Sequence, residues 1–167
     1  AAHNPENKTL DKNKVLLTDL ETGLPVWQGL DIRGTQVEAS PSGKLLVSAD
    51  ADGYAKVWKL DEASITYTSV GRVAAHPGND GSYITDVYVI NDEYFVTAGG
   101  QTNRVKLFQV SDDGAKQVDL ELFDNPGECK VRNLDYDPYN GILAVASGQE
   151  LSLWSFDRNL GRLTPFT

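Results

Sequence analysis

Residues 40–60, SPSGKLLVSADADGYAKVWKL, read as two short strands around a tight turn. Leu45, Leu46 and Val47 carry the first strand, and Tyr54 to Leu60 alternates apolar and polar residues as a second strand would. Asp50-Ala51-Asp52-Gly53 supplies the turn between them, with Gly53 able to take a positive φ. An isolated hairpin is only marginally stable in water, so the fold depends on whether the chain repeats this unit.

It does. The heptapeptide YAKVWKL (54–60) has counterparts in KVLLTDL (14–20), RVKLFQV (104–110) and ELSLWSF (150–156), each apolar at its second, fourth and seventh positions. The second and fourth lie on one strand face, and the fifth position (Thr18, Trp58, Phe108, Trp154) puts a large aromatic on the other face in three of the four. Both faces are thus largely apolar, which suits a strand held between neighbouring sheets. The fifth positions are separated by 40, 50 and 46 residues.

Upstream of each complete copy lies another short strand, KLLVSA (44–49), YFVTAGG (94–100) or ILAVASG (142–148). Each is preceded by a turn rich in Pro, Gly, Asn or Asp, residues that set the backbone angles turns need. Before those turns come candidate first strands, TQVEAS (35–40), YITDVYVI (83–90) and KVRNLDYD (130–137). More polar outer strands follow the heptapeptides at LPVWQGL (24–30), ITYTSVGRV (65–73), QVDLELF (117–123) and GRLTPF (161–166). Helical spacing of apolar residues is nowhere sustained over three turns.

Four strands in each period of 40 to 50 residues is the signature of a β-propeller. The expected fold is all-β, a propeller of four-stranded antiparallel blades with about three and a half blades in this chain. The expected organisation is an irregular or disordered segment 1–13, the second half of a blade at 14–34, and blades at 35–73, 74–123 and 124–167, all one propeller domain. Three and a half blades leave apolar faces open, so the chain is expected to need the rest of a longer propeller, or another subunit, for closure.

ASPSGKLLVSADADGYAKVWKL (39–60) resembles the WD40-repeat family from its first strand to its third, and LLTDLETG (16–23) resembles that family's passage from third strand to fourth. In the family a hydrogen-bond network links a His before the first strand, a Ser or Thr on the second, an Asp in the turn and the Trp. Carried over, the unit around Trp58 has Ser48 and Asp52 without a His near 29–35. The next unit has His76 and Thr97, with Phe108 in place of Trp and no Asp in its turn; the last has Ser147 and Trp154 alone.

The composition bounds the function. Hydrophobic residues make up 40% of the chain, enough for a core, and the net charge of −9 describes an acidic surface. Lys and Arg are scattered singly, so nucleic acid is not expected as the main partner and a basic protein or peptide suits the charge better. No apolar run approaches a membrane span. One cysteine, Cys129, gives no internal disulfide and favours a reducing setting, cytoplasmic or nuclear. The Asn7-Lys8-Thr9 glycosylation triplet is read as coincidence.

Chemical motifs are sparse. Asp50 and Asp52 start like a calcium loop, but Tyr54 stands where the next ligand belongs, and a tight turn explains them. Asp135 and Asp137 alternate on one strand and are read as a solvated strand end before Pro138. His3 and His76 have no metal-ligand spacing, Gly99-Gly100 is followed by no Lys-Ser, and Cys129 lacks a nucleophile motif. No cofactor, no metal and no enzyme activity are expected.

The resemblance implies an interaction scaffold that docks partner proteins or peptides within a larger complex. Its contacts would come from the loops joining blades and the turns between second and third strands, which meet on one face. Arg33, Asp50, Tyr83, Arg104 and Arg132 are the candidates there, since aromatics and Arg dominate contact energetics. The alternatives are a propeller-type enzyme such as a lactonase or hydrolase, and a purely structural subunit of a large assembly.

Overall fold

The computed structural model describes residues 16–28, 34–78, 83–99, 104–119, 130–148 and 150–166. Every regular element among them is a strand, and sequential strands pair antiparallel. A two-stranded sheet holds β1 (Leu16–Thr18) and β2 (Pro25–Gln28). The first full blade is β3 (Gly34–Ala39), β4 (Leu45–Asp50), β5 (Tyr54–Asp61) and β6 (Thr66–Ala74). The second is β7 (Ile84–Val89), β8 (Tyr94–Gly99), β9 (Arg104–Ser111) and β10 (Gly114–Asp119). The third is β11 (Val131–Asp137), β12 (Ile142–Ser147), β13 (Glu150–Asp157) and β14 (Arg162–Pro165). The chain is therefore built of β-propeller blades, with β3, β7 and β11 packed together on the inside and β6, β10 and β14 outermost.

Turn chemistry sets the blade lengths. Asn91 accepts the N–H groups of Glu93 and Tyr94, and Ser40 Oγ accepts that of Leu45, so both first hairpins close on side-chain acceptors. Tyr67 on β6 donates its hydroxyl to the Gly43 carbonyl and ties the outer strand to the inner turn. The outer strand β10 begins three residues before its expected place, because Asp112 and Asp113 make a two-residue turn and Gly114, at φ +127°, starts the return directly. Likewise Leu20 falls in a turn, not on β1. Asp19 accepts the N–H groups of Glu21 and Thr22 there, and the strand ends at Thr18.

Two apolar clusters fill the spaces between blades. Leu45, Val47, Ala55 and Val57 of one blade meet Ile84, Val89, Phe95 and Phe108 of the next. Phe108 is fully buried, its ring stacked on Phe95 with centroids 4.9 Å apart. The second cluster sets Val96, Val105 and Leu107 against Leu134, Leu143 and Val145, with Trp154 half-buried at its edge. Trp58 is buried on the other face of its sheet with Leu46 and Tyr67. Of the three aromatics expected between blades, Phe108 is sealed there, Trp154 is partly covered, and Trp58 belongs to its own small cluster.

The last blade shows the open apolar face expected of an unclosed stack. Leu151 and Leu153 hold the positions of Ala55 and Val57, and of Val105 and Leu107, all of which are 0% exposed; Leu151 is 68% and Leu153 38% exposed. Each buried pair is covered by the following sheet, and among the described residues no sheet follows β14.

Candidate functional site

Strand register sorts the chain into two rims. Gly34 pairs with Asp50, Tyr54 with Ala74, Ile84 with Gly99, Gly99 with Arg104, and Val131 with Ser147. These residues mark one rim, where second strands turn into third and the chain crosses between blades. The opposite rim carries the turns within each hairpin of first and second, or third and fourth, strands.

The inner strands fix the blades in the same orientation. Thr85 Oγ1 donates to the Val131 carbonyl at 2.9 Å, and Tyr88 Oη donates to the Tyr136 carbonyl at 3.2 Å. Between those bonds the buried carboxylate of Asp86 accepts the N–H of Leu134 at 2.6 Å and its neighbour Val87's at 2.9 Å. Burial pushes the Asp86 carboxyl up, against those N–H bonds. Glu38, on the adjacent inner strand, is pushed up by burial and then by the Asp86 charge. This acidic group at the axis was invisible in sequence, because Glu38, Asp86 and Asp135 lie some 50 residues apart along the chain.

The crossover rim gathers most of the candidate contact residues. Tyr83 immediately precedes β7 and is half-buried; Arg104 opens β9 and is half-buried; Arg132 is exposed near the start of β11. Arg33 lies outside the described residues, as do Gly100, Cys129, the Asn7 triplet, the segment 1–13 and the side chain of Trp27. Asp50 is on the same rim but is buried, 7% exposed. Its Oδ2 accepts from Arg72 at 3.1 Å, and the Arg72 guanidinium lies 3.8 Å over the Tyr54 ring. The side chain expected at the surface is therefore covered, and Arg72 is the exposed group in its place. The signal was an Asp closing an apolar strand, LLVSAD, which calls for a cation partner.

Lys56, Arg72, Arg104, Lys106, Lys130 and Arg132 all lie toward the crossover rim. The other rim is acidic: Asp61-Glu62, Asp92-Glu93 and Asp112-Asp113 occupy successive turns. Three of its cations are used in ion pairs, Lys44 with Glu62 at 2.5 Å, Lys59 with Asp112 at 2.7 Å and Arg158 with Glu93 at 3.3 Å; the latter two join neighbouring blades.

The remaining polar candidates have structural places. The imidazole of His76, 1% exposed, has its Nε2 3.0 Å from Thr97 Oγ1. Burial, and then the Lys106 and Arg104 charges, push its pKa down to about 4. Asp52 is exposed in its turn and joins no buried network. Ser48 Oγ and Asp50 Oδ1 are buried without a hydrogen-bond partner. Asp137 accepts from the Asn140 side-chain amide and from the N–H groups of Tyr139 and Asn140 in the β11–β12 turn, and those donors hold its carboxyl low. Among the described residues no group of three His, Cys, Asp or Glu side chains is placed to hold a metal ion.

Residues 32–59 match the WD domain, G-beta repeat. The WD40 match takes in β3, β4 and most of β5, and so includes the hairpin within residues 40–60. No curated protein matches the chain in sequence. A solved structure of a protein from Lactobacillus plantarum resembles it with a TM-score of 0.67 and 17% identity, covering 92% of this chain and 48% of that one. A candidate 6-phosphogluconolactonase from Bacteroides fragilis gives 0.62 and 18%, covering 98% and 46%. One from Bacteroides uniformis gives 0.66 and 14%, covering 92% and 47%. At these identities the likeness is one of fold, and the chain spans about half the length of the structures it resembles.

Proposed function

We propose that this chain is a protein-docking scaffold of the WD40 kind, with the crossover rim as its contact surface. The observation that carries the reading is the convergence of Tyr83, Arg104, Arg132 and Arg72 on one rim from four different strands or connections. Side chains anchored at strand ends are held in place by the sheets behind them, so little ordering remains to be done on binding. The open face of β13 adds a second requirement. A further blade, in a longer polypeptide or another subunit, would cover Leu151 and Leu153 as Leu134, Leu143 and Val145 help to cover Val105 and Leu107. No cofactor enters this reading, membrane insertion has no part in it, and the setting it assumes is cytoplasmic or nuclear.

The test is quantitative affinity capture with the wild-type chain and with Arg104→Glu and Arg132→Glu. A protein partner retained by the wild type should be lost from both variants while their far-UV circular dichroism stays unchanged. An unaltered capture profile from both would discard the rim as the docking surface.

A second reading, hydrolysis of a sugar lactone, has behind it the names of the two Bacteroides structures. Release of acid from 6-phosphogluconolactone above the spontaneous rate, measured at constant pH, would favour it over the scaffold.

A further inference from the structure

We infer that the crossover rim takes an acidic peptide segment, so that a chain with a net charge of −9 binds a ligand of its own sign. The inference rests on the scaffold reading of that rim and narrows it to a partner class.

The argument begins with why each rim has its charge. On the turn rim four of the acids form turns. Asp19, Asp61, Asp137 and Asp157 each accept backbone N–H groups two or three residues ahead, the geometry that makes Asp a turn residue. At those four positions acidity follows from folding the hairpins, while Glu62, Asp92, Glu93 and Asp112 take side-chain partners on the same rim. The crossover rim has few acids, so Lys56, Arg72, Arg104, Lys106, Lys130 and Arg132 set its charge.

Two of those cations show the contrast best. Lys130 and Arg132 flank the buried Val131, both are exposed, and neither forms an ion pair among the described residues. On the turn rim Lys44, Lys59 and Arg158 are paired, and Lys116 and Arg162 lie among the acidic turns. Val131 in turn receives the Thr85 hydroxyl on its carbonyl, which brings the start of β11 beside the start of β7 and Tyr83. Arg104 stands two strands along the same sheet, through the Ile84–Gly99 and Gly99–Arg104 pairs. The Lys106 and Arg104 charges both act on His76, so the positive field reaches the β6–β7 connection. The row ends at Arg72, whose guanidinium is held flat on Tyr54. Among the described residues the acids on this rim are Asp50, which is buried and pairs with Arg72, Asp52 on the turn between β4 and β5, and Glu150 at the start of β13.

Cations spread along several strand starts, with tyrosines between them, fit an extended chain carrying spaced carboxylates. A nucleic-acid backbone presents a phosphate charge at every nucleotide and would meet the acidic surface of the rest of the molecule. The acidic rim also repels such a peptide from the turn side, which favours encounter at the crossover rim.

The experiment uses the purified chain and fluorescence anisotropy with four labelled probes of equal length: alternating Glu-Gly, alternating Lys-Gly, Ser-Gly and single-stranded oligothymidine. The Glu-Gly peptide should bind, and raising the salt from low to physiological should weaken it. Lys130→Glu/Arg132→Glu should weaken it about tenfold or more, and Lys130→Gln/Arg132→Gln by less. Asp113→Lys on the opposite rim should not weaken it. Preference for the Lys-Gly or Ser-Gly peptide, oligothymidine binding as tight as the Glu-Gly peptide, or no binding by any probe would each overturn the acidic class. If partner capture is still lost in Arg104→Glu and Arg132→Glu in that event, the docking rim stands and only its assigned partner falls.

Discussion

The imidazole of His76, on the connection between β6 and β7, lies 3.0 Å from the hydroxyl of Thr97 on β8, and both groups are buried. That contact is one surviving link of the network the WD40 resemblance implies. In the preceding blade the corresponding hydroxyl, Ser48 Oγ, is buried and has no partner. The two blades thus carry the same hydroxyl position in two states, satisfied and orphaned.

Stability should fall with acid because of His76. The unfolded chain takes up a proton on this residue as pH drops through about 6.5, whereas the folded chain resists until about 4. The unfolded state therefore binds more protons across that window, and folding loses up to about 3 kcal/mol from pH 7 down to 4. Asp86 and Glu38, raised by burial, act with the opposite sign and nearer the ordinary carboxylate range, so the loss is cleanest between pH 6.5 and 5. Urea midpoints measured across that interval should decline in the wild type and flatten in His76→Gln.

Ser48→Ala and Thr97→Val should move stability in opposite directions. Removing an unpaired buried hydroxyl relieves a desolvation cost, so Ser48→Ala is expected to be neutral or to stabilise by about 1 kcal/mol. Removing the Thr97 hydroxyl takes away the shorter of the two Thr97 contacts at His76 Nε2 and should cost about 1 kcal/mol. Chemical denaturation of both variants measures the difference directly.

Gly53 should tolerate no side chain. It sits at φ +80°, its carbonyl accepts the N–H groups of Ala75 and His76, and a Cβ would collide with the His76 carbonyl oxygen. Gly53→Ala should cost about 2–4 kcal/mol. Ile65 shows the converse: an exposed β-branched residue at φ +52° in the β5–β6 turn, where Ile65→Gly should raise the melting temperature by a few degrees, about 1 kcal/mol.

Equivalent leucines should differ in cost. Leu107→Ala empties a fully buried position and should lose about 2–5 kcal/mol, whereas Leu153→Ala, at the same repeat position on the open blade, should lose under about 1 kcal/mol. If the two cost the same, the β13 face is already covered in solution. Sedimentation velocity on the wild type and Leu153→Glu would then show whether another copy covers it.

The strand plan was legible because period-two alternation and turn residues are local signals: Pro41-Ser42-Gly43 and Asn91-Asp92-Glu93 each close a hairpin where the sequence places one. The extent of β10 was not, since Asp112-Asp113-Gly114 lacks the Pro or Asn that marked the other turns. Tertiary placement was harder. Nothing in LLVSAD says that Asp50 will be covered by Arg72 stacked on Tyr54, because the three residues meet only across β4, β5 and β6. Lys and Arg dispersed singly along the chain become a row only when strand starts from separate blades are brought side by side, and composition averages that row away. Leu151 and Leu153 carry the apolar pattern faithfully; their exposure depends on what lies beyond the sheet, which no periodicity encodes.

Neighbouring blades are fastened unequally, by sheltered bonds from Thr85, Tyr88 and Asp86 near the axis and by exposed ion pairs at the turn rim. Solvated pairs of that kind hold weakly and fade with salt. Pulled sideways, adjoining blades would part like the leaves of a book, hinged along the inner strands as a spine. Sequence drift should follow the same gradient, free at Lys59, Asp112 and Arg158 and narrow at Asp86.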